Sequence, residues 1–526
     1  MNIGVNAVDV NTVDIDIGAC EARVLLTRSD LIRPATLRPP GKRSMRMSAS
    51  APERYTQELK RDLKLWENVS LVVSAVTPAT GAFIIAPVLF GLNGTGAPLT
   101  FVIAAILGIS LAFCWAELGS AYPIAGGDYT FVSRILGRGA GFVSLVLSGP
   151  VQAVLIPAVV ALGMAEYLRV VIDIDANVLG AIILLSGMVI AIFGVRLNAL
   201  AVAALLVIEL LAVVLVSVLG FVKANRSVSV LFSPEVIGDG GTRPLTFGAL
   251  IAGIAVASFA YNGFQGALLY SEETVGERKN VARAVFIALG VAIACEVLPV
   301  AAALLGAPSV PDLVASANPW QYFLTAIGGD TFNTIISLGI AVAVLNAVIA
   351  LMPFFARILY SSGRDMAWPR PVSRSLAKVH PKYGTPVVAT IAVGVAGALI
   401  ILVTDVETLT TWVGAVLAIE FILVALSAIV GRVRQPNQDR PYRMPLWPIA
   451  PVVAIVMSIG VLTQQEPSDL AVAGGLVLIA VLYYVFYLRP RVHTHMLTLD
   501  PVLYDEGKGS TESSGSAQQT THISQN

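Results

Sequence analysis

Four glutamates sit where carboxylates are least welcome: Glu166, Glu209, Glu296 and Glu420 lie within or near long apolar stretches with almost no Lys or Arg to balance them. An ionised carboxylate costs about 2.5–3.5 kcal/mol at the centre of a hydrocarbon layer on insertion scales. Each of these residues must therefore face a polar interior, take up a proton or find a donor, and a carboxyl that gains and loses a proton can carry one across a barrier. Glu166 has Arg169 one helical turn away and reads as half of an interfacial ion pair. Glu209 has no such neighbour. Glu296 and Glu420 lie deeper, and the sequence alone does not say which face of its helix each occupies.

A second source of chemistry is the backbone. The stretch LVVSAVTPATGAFIIAP, residues 71–87, carries Pro78 and Gly81 where a lipid-facing helix should be most regular. Backbone groups freed there find no water in hydrocarbon, so they must line a protein cavity. A counterpart lies in SFAYNGFQGALLY, residues 258–270, where Asn262-Gly263 and Gly266 interrupt another apolar run. By contrast, His380, His493, His495 and His522 lie in loops or the tail, without carboxylate or Cys partners at ligand spacing. Cys20, Cys114 and Cys295 are scattered. Neither a metal site nor a cofactor is expected, and nothing points to nucleic acid.

The elements that must hold these groups follow from composition. Over 526 residues, 56% are hydrophobic and 13% charged, too little polar content to cover a soluble globule. Twelve apolar stretches, at roughly 66–90, 98–121, 140–168, 177–195, 199–222, 246–271, 282–305, 331–361, 386–404, 407–431, 446–464 and 469–489, are each long enough to cross about 30 Å of hydrocarbon. They are numbered here as helices 1 to 12. With both termini on one side, all but four of the 34 Lys and Arg residues share that side, the exceptions being Arg169, Lys223, Arg226 and Arg243. By the positive-inside rule both termini are cytoplasmic.

Three regions result: a largely disordered cytoplasmic tail over 1–65, a twelve-helix membrane domain over 66–490, and a low-complexity cytoplasmic tail over 491–526. Residues 1–50 contain no long apolar run, so helix 1 itself is expected to direct insertion, with Met45 or Met47 as an alternative start. Five helices separate the two breaks, as an inverted five-plus-five repeat requires, which leaves helices 11 and 12 outside it.

Four segments resemble the amino acid/polyamine/organocation permeases in the order that family shows. They are AELGSAYPIAGGDYTFVSRILG (116–137), SEETVGERKNVARAV (271–285), ARILYSSGRDMAWP with KVHPKYGTPVVA (356–389), and PYRMPLWPIAP (441–451). The resemblance covers 66 to about 490 and implies an all-α, multi-pass, leucine-transporter-like fold with helices 1 and 6 unwound at the midplane. It implies alternating access around a central site for an amino acid or amine. Thr77, Pro78, Ala79, Thr80, Gly81 and Ala82 would meet the substrate from helix 1, their amides facing its carboxylate. Phe259, Ala260, Tyr261, Asn262 and Gly263 would meet it from helix 6, offering carbonyls to the amine. Half-helix ends suit those roles, since N-termini present unpaired N–H groups and C-termini present carbonyls. Where the family usually has G-x-G-I-F, this chain reads Ala79-Thr80-Gly81-Ala82-Phe83, which narrows the space at Ala79 and adds the Thr80 hydroxyl.

Glu209 falls where a proton-coupled subset of that family places a helix 5 lysine near helices 1 and 8, so the resemblance makes it the candidate for proton coupling. Sodium coupling would ask for hydroxyl ligands on helix 8, but GIAVAVLNAVIALMP (339–353) has only Asn346 as a polar side chain. Glu272 and Glu273 with Arg364 are a candidate cytoplasmic gate. No filter-like repeat, catalytic constellation or Walker-type run argues for a channel, an enzyme or ATP drive. The expected function is a plasma-membrane permease for an amino acid, coupled to protons and embedded among membrane lipids. The alternatives are an uncoupled amino acid or amine exchanger, a polyamine or γ-aminobutyrate permease, and a transport-inactive sensor on the same fold.

Overall fold

A computed structural model describes strands within residues 5–25, then residues 64–122, 126–193, 195–238, 241–270, 279–316, 318–491 and 494–496. Most of these residues are helical. Among them, eight helical runs are long and apolar enough to cross a membrane, and Ala176–Ile192, Val387–Ile401 and Ile449–Thr463 are shorter apolar helices. Their outward faces carry Ile, Leu, Val and Phe, as a surface bathed by lipid requires. Two departures from an all-α chain occur. Val5–Asp9, Thr12–Asp16 and Glu21–Leu25 pair as a three-stranded antiparallel sheet in a segment that the sequence reads as aperiodic; that sheet lies in a separate unit, Met1–Arg54. A hairpin, Glu235–Gly238 with Gly241–Pro244, follows helix 5 (Val195–Val222). It sits over the end of helix 1, where the Glu235 N–H donates to the Thr95 hydroxyl at 2.8 Å. The expected C-terminal tail lies largely outside the described residues.

Helix 1 runs from Leu65 to Val76, stops at Thr77, and resumes through Pro78–Thr80 and a π-helical turn, Gly81–Ile85, into Ala86–Asn93. Thr77 is left-handed (φ 56°, ψ 67°), a conformation seldom adopted by residues other than Gly, Asn and Asp, and Pro78 cannot donate to the helix before it. Helix 6 runs from Phe247 to Ala260, breaks over Tyr261–Gly263, and continues as a 3₁₀ turn, Phe264–Leu268. Helix 7 (Lys279–Gly306) packs along helix 2 (Ala97–Ala121), helix 5 and helix 1. Helix 8 belongs to a longer run, Pro319–Arg364, that kinks at Gly329 and packs against helix 3 and helix 5.

One buried ionic cluster ties helix 2 to helix 10 (Val406–Arg434) and to the chain beyond it. Glu117, 1% exposed, accepts from Arg432 at Nε (2.7 Å) and Nη2 (2.5 Å) and from the Met444 N–H (2.8 Å), with Arg440 Nε at 3.3 Å. Removing one partner of such a buried pair costs about 3–5 kcal/mol, because the opposite charge is left uncompensated. Glu117→Ala is therefore expected to lower the unfolding temperature of the purified protein in detergent, with Glu117→Asp falling between it and the native chain; a melt unchanged in Glu117→Ala would show that the cluster does not brace the fold.

Candidate functional site

The freed backbone of helix 1 is answered by helix 5. The Ala79 N–H donates to Glu209 Oε1 at 2.9 Å, and Asn346 Nδ2 on helix 8 donates to Glu209 Oε2 at 2.8 Å. All three residues are fully buried. Both carboxyl oxygens of Glu209 thus have a donor, the arrangement that an acid inside a membrane needs. Asn346, expected as a polar contact on helix 8, becomes the bracket between helices 5 and 8. In the π-helical turn, Tyr167 on helix 3 donates its hydroxyl to the Phe83 carbonyl at 2.5 Å. The Thr80 N–H and Gly81 N–H both turn back to the Thr77 carbonyl, at 2.9 and 3.4 Å. The Ala79 amide, which the resemblance assigns to a substrate carboxylate, is here engaged by Glu209.

The two interrupted segments wall a single cavity of about 20 Å3. From helix 1 it is lined by Ala75, Val76, Thr77, Thr80 and Gly81, and from helix 6 by Phe259, Ala260, Asn262 and Gly263. Such a space holds about one water molecule, so anything larger requires the walls to part. The Thr80 hydroxyl is buried there without a hydrogen-bond partner among the described residues. Asn262 directs its side-chain oxygen to Gln265 Nε2 (2.7 Å), whose own oxygen accepts from the Gly263 N–H (2.9 Å). Gly263 has φ 117°, and a β-carbon there would lie 2.9 Å from the Ala75 carbonyl oxygen, so the two breaks touch only because residue 263 has no side chain.

Of the candidates from sequence, Pro78, Ala79, Ala82 and Tyr261 do not line the cavity. Tyr261 turns towards helix 2, donating to the Phe101 carbonyl at 2.9 Å with its ring edge-on to Phe101. It is a packing anchor, and Phe259 alone of the aromatic pair faces the space. Sequence reasoning missed the apolar walls, Ile156 and Val160 from helix 3 and Leu351, Phe354 and Phe355 from helix 8. Pro353 beside two phenylalanines was the only local signal.

The remaining acids fall into place separately. Glu166 pairs with Arg169 at 3.4 Å on an exposed surface, as their spacing suggests. Glu420 accepts from Gln152 and faces Asp128, which accepts a hydrogen bond from the Trp115 Nε1–H at 2.9 Å. Glu296 lies against Gly81. Arg364 closes the helix 8 run and lines a second cavity of about 270 Å3 with Arg357 and Tyr360. Its expected partners, Glu272 and Glu273, lie outside the described residues.

A long apolar chain built around two interrupted helices belongs to the transport proteins rather than the enzymes. A profile of the family described as amino acid permease matches residues 63–487, and this chain is a member of that family. It is 23% identical over 470 residues to the branched-chain amino acid permease BcaP of Bacillus subtilis (strain 168), spanning 84% of this chain and 95% of that protein. The serine/threonine exchanger SteT of the same organism is 25% identical over 433 residues, 80% of this chain and 94% of its own. The methylthioribose transporter of the same organism is 26% identical over 423 residues, 76% and 87% of the two chains.

Gly81 sits directly against the Glu296 carboxyl. A β-carbon there would fall 1.8 Å from Glu296 Oε1, so a side chain must push the glutamate aside or shift the helix 1 segment. Gly81→Leu is expected to abolish binding of radiolabelled amino acids to the purified protein while its circular dichroism stays helical. Unchanged affinity would place the binding site elsewhere.

Proposed function

We propose that the protein is a secondary active transporter that moves an amino acid across the plasma membrane by alternating access, in symport with a proton. The observation that carries this reading is that residues 75–77, 80–81, 259–260 and 262–263, at the breaks of two different helices, wall one cavity, with Glu209 hydrogen-bonded to the helix 1 break. Counting the helical run Leu65–Ala121 as two passes and adding the three shorter helices to the other runs makes twelve crossings. That number agrees with a five-plus-five inverted repeat followed by two further helices and with cytoplasmic termini.

The cavity's chemistry matches a zwitterion with an apolar side chain. The first half of helix 1 ends there, and the last carbonyls of a helix carry partial negative charge suited to an ammonium group. Thr80 offers a hydroxyl, and Ile85, Ile156, Val160, Leu351, Phe354 and Phe355 offer an apolar wall. Such a wall fits a neutral side chain better than a charged one, in keeping with the similarity to a branched-chain amino acid permease. The likeness to a methylthioribose transporter keeps a non-amino-acid substrate within the panel to be tested.

A second reading, exchange without ion coupling, draws on a specific feature. Both Glu209 oxygens are hydrogen-bonded, so the residue can serve purely as a brace, and one relative is an exchanger. Purified protein in liposomes separates the two. With Glu209→Gln, concentrative uptake driven by a pH gradient is expected to fall by more than tenfold, while counterflow of preloaded substrate continues. Equal loss of both would make Glu209 structural, and native uptake indifferent to the pH gradient would favour exchange.

A further inference from the structure

Glu296 is 0% exposed, and neither of its carboxyl oxygens has a hydrogen-bond partner among the described residues. It stands at the break rather than apart from it. A β-carbon on Gly81 would lie 1.8 Å from Oε1, 2.1 Å from Cδ and 2.2 Å from Oε2, so the carboxyl fills the space that Gly81 leaves open. Two residues earlier, Ala79 is bonded to Glu209, so both carboxyls meet the same short segment of helix 1.

Among the described residues, the groups around Glu296 supply no cation. Helix 5 brings Glu209, helix 6 brings Tyr261, and Cys295 adjoins it on helix 7. The Tyr261 hydroxyl donates to Phe101 instead. Helix 2 carries only Cys114 and Glu117 as titratable groups, the latter held by Arg432 and Arg440. The described part of helix 1 carries only Glu67, which accepts from the Lys64 N–H at its own N-terminus. The π-helical turn and the 3₁₀ turn after helix 6 carry none.

We propose that Glu296 is a second proton-binding group of the transport cycle, paired with Glu209 across the Ala79–Gly81 segment, and that helix 1 closes only when Glu296 holds a proton. This rests on the proton-coupled reading above and extends it to a residue with a different task. A carboxylate shut away without a donor is strongly disfavoured, and a second negative charge nearby adds to the penalty. Closing Gly81 onto Glu296 therefore takes up one proton from the water on the open side. Parting that contact readmits water, and the carboxylic acid returns its proton there, with no other bond made or broken. Glycine at 81 allows the carboxyl to sit against the backbone, so the position of helix 1 and the charge of Glu296 change together.

The test is counterflow of radiolabelled L-leucine, with L-serine as a second probe, in liposomes containing the full-length protein over an acid-to-alkaline pH series. The native protein is expected to lose counterflow towards alkaline pH. Glu296→Gln, which is neutral at every pH, should flatten that loss at least tenfold at the alkaline end. Glu296→Asp, which keeps the acid but withdraws it from Gly81, should retain the loss with a shifted midpoint. A native alkaline limb in Glu296→Gln, an unmoved midpoint in Glu296→Asp, or rescue of the native protein at alkaline pH by sodium would overturn the proposal. If Glu209→Gln loses concentrative uptake while Glu296→Gln keeps the native pH profile, only this inference fails. Concentrative uptake that persists in Glu209→Gln would instead sink the Glu209 coupling reading.

Discussion

Inside a bilayer no water is at hand to satisfy a broken helix, so each interruption has to be answered by protein. Everything distinctive in this structure follows from how helix 1 meets that demand. Its left-handed Thr77 and the proline after it end the hydrogen-bond ladder, and the amide next in line, at Ala79, is taken by a carboxylate from helix 5. A neutral acceptor would have been enough for the hydrogen bond. A carboxyl makes the same bond and also changes charge, so a structural necessity of the fold becomes a place where protonation and backbone conformation meet.

The partner break in helix 6 is held close by a different device. Gly263 brings its backbone against Ala75 and Val76, and Gln265 folds back to hold both the Gly263 amide and the Asn262 side chain. Neither break is therefore a loose loop. One is stitched to helices 5 and 8 through Glu209 and Asn346, the other to itself through Gln265, and the space between them is nearly closed. Helix 1 is anchored mainly by contacts to side chains of other helices, whereas the helix 6 break is largely self-supporting. Of the two, helix 1 is the element whose position a change in side-chain charge can alter.

The breaks were legible in the sequence because Pro78, Gly81 and Asn262-Gly263 contradict the periodic apolar pattern around them, and Glu209 was legible because its charge does. What the sequence hid has one physical origin. A membrane helix is apolar on its lipid face and on its packed face alike, so hydrophobicity carries little information about rotation. For that reason the direction of Tyr261, the walls at Ile156, Val160, Phe354 and Phe355, and the side of helix 7 on which Glu296 lies emerge only from the packing. The hairpin formed by Glu235–Gly238 and Gly241–Pro244 was hidden differently: the second strand is exposed throughout and Val236 and Ile237 on the first are only half-buried, leaving no clean buried alternation to read.

Two carboxyls meeting the same three residues of helix 1 bear on how a proton gradient does work. Glu209 is bonded to the segment and stays bonded when protonated or not, provided the oxygen that faces Ala79 remains an acceptor. Glu296 has no bond to lose, only space that closes or opens as Gly81 approaches or withdraws. Coupling requires that one state of the protein bind the proton more tightly than another, and the same difference then makes the proton favour that state. A fully bonded acid changes its surroundings little when a helix shifts by an ångström or two, while an unbonded acid sealed by a glycine changes from dry to wet. On physical grounds the larger difference in proton affinity between open and closed arrangements belongs to Glu296, and Glu209 adds its own protonation while its bond to Ala79 holds the segment whose motion creates that difference.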